Sequence, residues 1–274
     1  MDHGLEGELV CYVQRLSPEF RELLIVPTSD VHYGNRMFSP SCFKAHRKAI
    51  ADTPNMYTVL NGDLCESTIK SSKGEIFSQV GTPQDQRDWT IDQWYPLRHK
   101  VLAVDMGNHE GRIFNETGID ICEDIAKALG VPYRAEGFLL RVHFGSGNES
   151  HPEKPYVYEG HFTHGYGGAR TSAAKAVKVE RSSSHTHADF YCMSHDHLVN
   201  AAPSVYLMSD KRTHKDRNGF EVSPVKAHRK MLIKSNAFMK WGGYSEAGGY
   251  PPVDMETPVI ILSGVGKPRT RVLI

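Results

Sequence analysis

Leu23-Leu24-Ile25-Val26-Pro27-Thr28-Ser29-Asp30-Val31-His32 sets the pattern of the chain: a short apolar run, then a polar turn carrying an acid and an imidazole. The pattern recurs. Met56-Tyr57-Thr58-Val59-Leu60 leads into Gly62-Asp63, and Val101-Leu102-Ala103-Val104 leads into Gly107-Asn108-His109-Glu110. Each run has the length and the branched or aromatic composition of a strand, with too little room for a helix. Between the first two runs, Ser39-Pro40 offers an N-cap followed by proline at the first helical position, which predicts a helix to about Asp52. Thr82-Pro83 repeats that signal, and a helix carrying Trp89 and Trp94 is expected to run toward Leu97. Ile119 to Leu129 has apolar residues at helical spacing and closes at Gly130. Alternating strands and helices predict an α/β fold with parallel strands and right-handed crossovers.

The second half changes character. Phe138 to Phe144 alternates and Tyr156 to Thr163 is aromatic and strand-like, with a polar loop from Gly145 to Pro155 between them. The second of these strands runs into His164-Gly165. Thr171 to Arg181 reads as an Ala- and Lys-rich helix, and Asp189 to Met193 as a short strand entering His195-Asp196-His197. Pro258 to Ile274 reads as two strands around Gly264-Val265-Gly266, an antiparallel edge. No repeat, low-complexity tract or linker interrupts the chain, so one domain spanning 1–274 is expected. The polar, basic stretch near 209–230 is read as a surface excursion.

Composition excludes several classes. The 274 residues carry 32 Lys+Arg against 32 Asp+Glu, so the whole chain presents no electrostatic case for nucleic acid or membrane, leaving only local basic faces. The 5 Cys are odd in number and form no C-x-x-C pair, which argues against a disulfide framework or thiolate zinc knuckle and fits a reduced cytoplasmic setting. Residues 1–7 lack the basic and apolar halves of a signal peptide. No run approaches the ~20 apolar residues of a membrane span.

In open α/β sheets, ligands bind beyond the carboxyl ends of the strands. Asp30, His32, Asp63, Asn108, His164, His195 and His197 all follow a predicted strand, so they can converge from far apart in sequence. Hard oxygen and borderline nitrogen donors in this mix suit Mn, Fe, Zn, Co or Ni. Asp63 has two carboxylate oxygens and can bridge two ions roughly 3.5–4 Å apart.

The ordered series Asp30-x-His32, Gly62-Asp63, Gly107-Asn108-His109-Glu110, His164 and Ser194-His195-x-His197 resembles the calcineurin-like metallophosphoesterases, over most of residues 23–200. Serine stands at 194 where that family usually has glycine. The resemblance implies a mixed-sheet β-sandwich flanked by helices. It implies one ion on Asp30, His32 and His197, a second on Asn108, His164 and His195, and Asp63 bridging, with manganese the first choice. It further implies hydrolysis of a phosphate ester by a hydroxide held between the ions, with His109 facing the phosphate as charge stabiliser and acid.

The phosphoprotein phosphatases of that superfamily carry an arginine after the second acid of G-D-x-x-D and another before G-N-H-E. Here Gly62-Asp63-Leu64-Cys65-Glu66-Ser67 and Met106 stand in those places, which argues against a phosphoserine or phosphothreonine substrate. Arg170, in a Gly-rich turn near the site, and Lys175, Lys178 and Arg181, spaced by three, form a candidate basic stripe for flanking phosphates. A phosphodiesterase acting on nucleic acid or a nucleotide is therefore the leading expectation, with Asn108 and Arg170 touching substrate. A phosphomonoesterase on a small molecule or phosphorylated end, and a non-catalytic metal-bound scaffold, are the alternatives. The segments Lys240 to Tyr244 and Gly249 to Pro252 are also similar to those of uncharacterised metallophosphoesterases of bacteriophage and prophage origin.

Overall fold

The computed structural model of the chain describes residues 8–72, 76–147 and 153–274. The leader reading of residues 1–7 and the middle of the 145–155 loop lie outside them. Two mixed sheets pack face to face. In the first, β2 (Glu22–Thr28), β3 (Met56–Asn61) and β4 (Val101–Asp105) run parallel, while β12 (Val259–Ser263) adds antiparallel to β2 and β13 (Thr270–Leu273) closes the edge. The second has the order β1 (Cys11–Arg15), β5 (Phe138–Phe144), β6 (Tyr156–Thr163), β7 (Phe190–Met193), β11 (Val225–Lys234) and β8 (Asn200–Ser209). A small hairpin, β9 (His214–Lys215) with β10 (Glu221–Val222), tips the β8–β11 ribbon.

The facing sides of the sheets form one core: Leu23, Ile25 and Ile260 from the first meet Phe138, Phe162, Phe190 and Ile233 from the second. Helices cover the outer faces. On the first sheet sit α1 (Pro40–Asp52), α2 (Pro83–Trp94), α3 (Asn108–Thr117) and α4 (Ile121–Leu129), whose Phe43, Trp94, Ile113 and Ile125 pack on Val26, Leu60 and Val104. On the second sits α5 (Ser172–Ser182), with Val179 against Tyr191 and Leu232. A short turn, α6 (Tyr244–Ala247), lies near the open end. The mixed α/β sandwich is as expected. The second helix stops at Trp94 rather than near Leu97, and continues only as a 3-10 turn, Tyr95–Lys100. Pro96 explains this, because proline restricts the residue before it and donates no hydrogen bond.

Among the described residues, no helix is long and apolar enough to cross a membrane. All 5 cysteines are free, and Cys65, Cys122 and Cys192 are buried as small apolar groups.

Candidate metal centre

The carboxyl ends of β2, β3 and β4 in one sheet and of β6 and β7 in the other open at the same edge of the sandwich. Asp30 follows β2, Asp63 follows β3, Asn108 follows β4, His164 follows β6, and His195 and His197 follow β7. The backbone there is strained. Six described non-glycine residues have φ between +46° and +69°, and five are Asp30, His32, Asp63, His195 and His197; the sixth is Ser67. Left-handed conformations cost non-glycine residues free energy and persist only where the surroundings over-determine them, as at functional sites. Two glycines make the close approach possible. A Cβ on Gly62 would meet the His164 ring at 2.6 Å, and one on Gly107 would meet the Asp63 nitrogen and Oδ1 at 2.1 Å.

Three sets of donors converge: Asp30, His32 and His197; Asp63, His164 and His195; and His32, Glu66 and His109. His197 Nε2 lies 3.2 Å from Asp30 Oδ1 and from His32 Nε2. His164 Nε2 lies 3.2 Å from Asp63 Oδ2. That same oxygen is 3.8 Å from His32 Nε2 and 3.9 Å from His109 Nε2. The opposite ring atoms are tied down. His164 Nδ1 pairs with the Asn61 carbonyl at 2.9 Å, His32 Nδ1 with Glu66 Oε2 at 3.1 Å, and His195 Nε2 with the Gly167 carbonyl. Donating one N–H to an oxygen fixes the tautomer and leaves the other nitrogen as a lone pair, the arrangement of metal-ligating histidines. Among the described residues, buried His195 Nδ1 has no hydrogen-bond partner, and buried Asp30 Oδ1 and His164 Nε2 meet His197 and Asp63 respectively, each at 3.2 Å. A buried ring nitrogen with no partner is costly, and a divalent cation held with Asp63 and His164 would satisfy it.

Electrostatics agree. Burial opposes charge on Asp30, but His197 and His164 outweigh it and hold the carboxyl at about 2. Burial likewise opposes charge on Asp63, and His164, His109 and His32 hold it well below the usual range. Burial disfavours charged His32, yet the Glu66 hydrogen bond and the surrounding carboxylates lift it to about 9; Asp63 and Asp30 lift His164 to about 10. Protons thus occupy, in the metal-free protein, places that cations would take. His109 goes the other way: burial pushes it down to about 4. Its nitrogen donates to Asp63 Oδ1 at 2.8 Å and its Nδ1 pairs with the Glu66 carbonyl at 2.7 Å.

Three features lie beyond the sequence reading. Glu66, three residues after Asp63, holds both His32 and His109 from one turn. Glu110, fully buried, accepts from the nitrogens of Asp63 and Cys65 at 3.1 and 2.8 Å and so shapes the Asp63 turn. Asp196 sits between the two motif histidines and is clamped by Lys178 Nζ at 2.5 Å and Lys234 Nζ at 2.7 Å. The clamp divides the expected stripe for flanking phosphates: Lys178 is spent on Asp196, Lys175, 4% exposed, lines the cavity, and Arg181 lies exposed.

Asn108 lines the same cavity from the first turn of α3. Arg170 is exposed, with its guanidinium 5.7 Å from the Tyr250 ring at the cavity mouth. His161 is not part of the centre; it pairs with Ser182 at 3.0 Å and ties β6 to α5.

No family model and no curated protein matches the chain. Solved structures do resemble it, two among them as follows. One is a conserved uncharacterized protein and predicted phosphoesterase from Streptococcus pneumoniae, at a TM-score of 0.36 and 10% identity, covering 92% of this chain and 99% of that one. The other is Vps29 of Chaetomium thermophilum, at a TM-score of 0.33 and 13% identity, covering 78% and 99%. Likeness at this level bears on neither substrate nor mechanism.

Proposed function

We propose that the chain is a metal-dependent phosphoesterase whose site takes two divalent ions, manganese first. One observation carries the reading: a single carboxylate oxygen, Asp63 Oδ2, stands 3.2 Å from His164 and 3.8 Å from His32, so it faces both donor sets. Asp30, His32 and His197 would hold one ion, Asn108, His164 and His195 the other, and Asp63 both. Such ions would supply Lewis acidity toward a phosphoryl oxygen and bring the pKa of water toward neutrality.

The chain's own groups do the rest. With Nδ1 committed to the Glu66 carbonyl, His109 keeps Nε2 for the ester, where it would bind the charge building on the phosphoryl oxygens and pass a proton to the leaving oxygen. An anionic ester against Nε2 opposes the burial that holds this ring neutral. Glu66 orients His109 and His32 together.

The substrate is read as a phosphodiester of nucleic acid or a nucleotide. A cavity of about 650 Å³ adjoins the donors, far more than one phosphoryl group fills and within the range of sites for larger organic ligands. Hydrolysis of bis-p-nitrophenyl phosphate against p-nitrophenyl phosphate under saturating Mn, with metal analysis of the same sample, tests the reading. Two ions per chain and preferred diester turnover are expected. Preferred monoester turnover would make the protein a phosphomonoesterase, and two ions without turnover of either ester would make it a scaffold.

A further inference from the structure

One wall of the cavity is a strap that the metal reading does not use. Lys240-Trp241 and Tyr250 belong to a segment fastened to the loop before α1. Met239 pairs with Phe38 across an isolated bridge, and the Lys240 nitrogen donates to the Met37 carbonyl at 2.8 Å. The strap is also closed on itself, because Trp241 Nε1 donates to the Tyr250 carbonyl at 2.8 Å. Trp241 is 47% exposed. The other two tryptophans serve the core: Trp94 is fully buried and Trp89 stacks on Tyr33 at 3.6 Å. The N–H of Trp241 being used, the indole offers a ligand its π surface.

Charge on the wall is one-sided. Arg36, Arg112, Lys175 and Lys240 line the cavity, while the acids among its described lining residues are Asp63, Glu66 and Asp196, all engaged in the metal centre or its lysine clamp. The chain as a whole is neutral, so this is a local asymmetry that favours an anion. Arg112 lies three residues beyond His109 on α3, and its Nε donates to the Asn108 carbonyl at 3.3 Å, which holds it beside the centre.

A half-exposed indole with a satisfied N–H recognises flat rings by stacking, and cations lining the same cavity call for phosphate charge beyond the group being cleaved. A nucleotide combines both features, and its base must be unpaired to show a face. We infer that the Trp241 strap is a nucleotide subsite: an unpaired base stacks on the indole, and Arg112 and Lys240 hold an adjoining phosphate. The inference deepens the phosphodiesterase reading and rests on it for turnover, though not for binding.

Binding is tested by anisotropy of a fluorescein-labelled, phosphorothioate-linked octathymidylate on the Mn-loaded protein. Trp241→Ala should weaken binding by about tenfold, the magnitude of one lost base stack, and Trp241→Phe should restore most of it. Arg112→Gln with Lys240→Gln should weaken binding and flatten its salt dependence. Thymidine 5′-monophosphate as competitor separates the sources: displacement as effective as by unlabelled octamer assigns the subsite to free nucleotides, and much weaker displacement assigns it to a strand. Equal affinity of wild type and Trp241→Ala, or no binding of either probe, overturns the inference. For turnover, Trp241→Ala should raise KM for thymidine 5′-(p-nitrophenyl phosphate) about tenfold relative to KM for ethyl p-nitrophenyl phosphate. Octamer binding through Trp241 without hydrolysis of either ester would end the phosphoesterase reading and leave the subsite standing. Hydrolysis of both esters with an unmoved KM ratio would do the reverse.

Discussion

His109 stands among the donors of the centre, yet its ring titrates in the opposite direction from His32 and His164. Burial lowers His195 as well, so the direction of the shift does not mark the catalyst; what marks His109 is that its backbone nitrogen and Nδ1 are committed to Asp63 Oδ1 and the Glu66 carbonyl, which leaves Nε2 for an anionic ester that would favour its protonated form. His109→Ala is therefore expected to retain two Mn per chain while kcat falls by roughly 10²–10⁴-fold, the usual contribution of a general acid. Metal analysis beside steady-state rates checks this, and loss of an ion in the variant would make His109 a ligand instead. Asp196 gives a different expectation. Lys234 is fully buried and Lys178 nearly so, and both face this carboxylate. Asp196→Asn leaves two buried cations unpaired, which should cost about 3–5 kcal/mol, seen as a lowered Tm in the metal-free protein. A Tm within a degree of wild type would show that the clamp carries no stability. The donors themselves were legible because acids and imidazoles at strand ends have a recognisable chemistry. Glu66 and Asp196 were not, because their roles depend on which side chains a distant element brings against them.

Elements were legible where burial wrote the pattern. The sequence boundaries for α1, β5 and β6 match the structure because proline at the helix start and unbroken apolar or alternating runs mark them. Strands β8 and β11 escaped notice, since the outer part of their ribbon is exposed: Val205, Leu207 and Val225 are 60%, 72% and 62% exposed, with Ser204, Tyr206 and Met208 between and beside the first two and Lys226 beside the third. Where the ribbon extends past β7 into water, its strands meet only each other and no apolar periodicity is required. Helix α3 was hidden for another reason, because its first turn is spent on Asn108, His109 and Glu110 rather than on a cap. The ribbon yields an expectation of its own. Ser209 pairs with Val225, so replacing residues 210–224 by Asn-Gly gives a two-residue hairpin in the same register. The shortened protein should keep its Mn affinity and rate on bis-p-nitrophenyl phosphate within about twofold, since surface loop tips tolerate such change. A large loss of either would show that the tip reaches the site.

On the scale of the whole molecule, the centre joins two sheets that otherwise meet through their apolar faces. Asp30, Asp63 and Asn108 come from the ends of one sheet, and His164, His195 and His197 from the ends of the other. Ions shared between them would tie the sandwich at its open edge, so Mn should raise the Tm by linkage to the folded state. The pH dependence has a definite sign. In the metal-free protein, His32 and His164 are raised to about 9 and 10, above the unfolded value near 6.5. Their contribution to stability is full below about 6.5 and is lost as pH rises through 9 and 10. Glu110 works in the same direction: burial and Asp63 raise it to about 7, so the stability it adds in acid is lost as pH climbs through that value. Metal-free protein should therefore weaken from pH 6.5 to 8.5 and beyond. The metal needs those histidines neutral, so each ion must displace protons and its affinity must rise over the same window. Calorimetry of Mn binding at pH 7 in buffers of different ionisation enthalpy should register proton release, and the Tm increment from Mn should be larger at pH 8.5 than at 6.5. An increment that shrinks with pH, or binding without proton release, would mean that the ions do not occupy the places that His32 and His164 hold for protons.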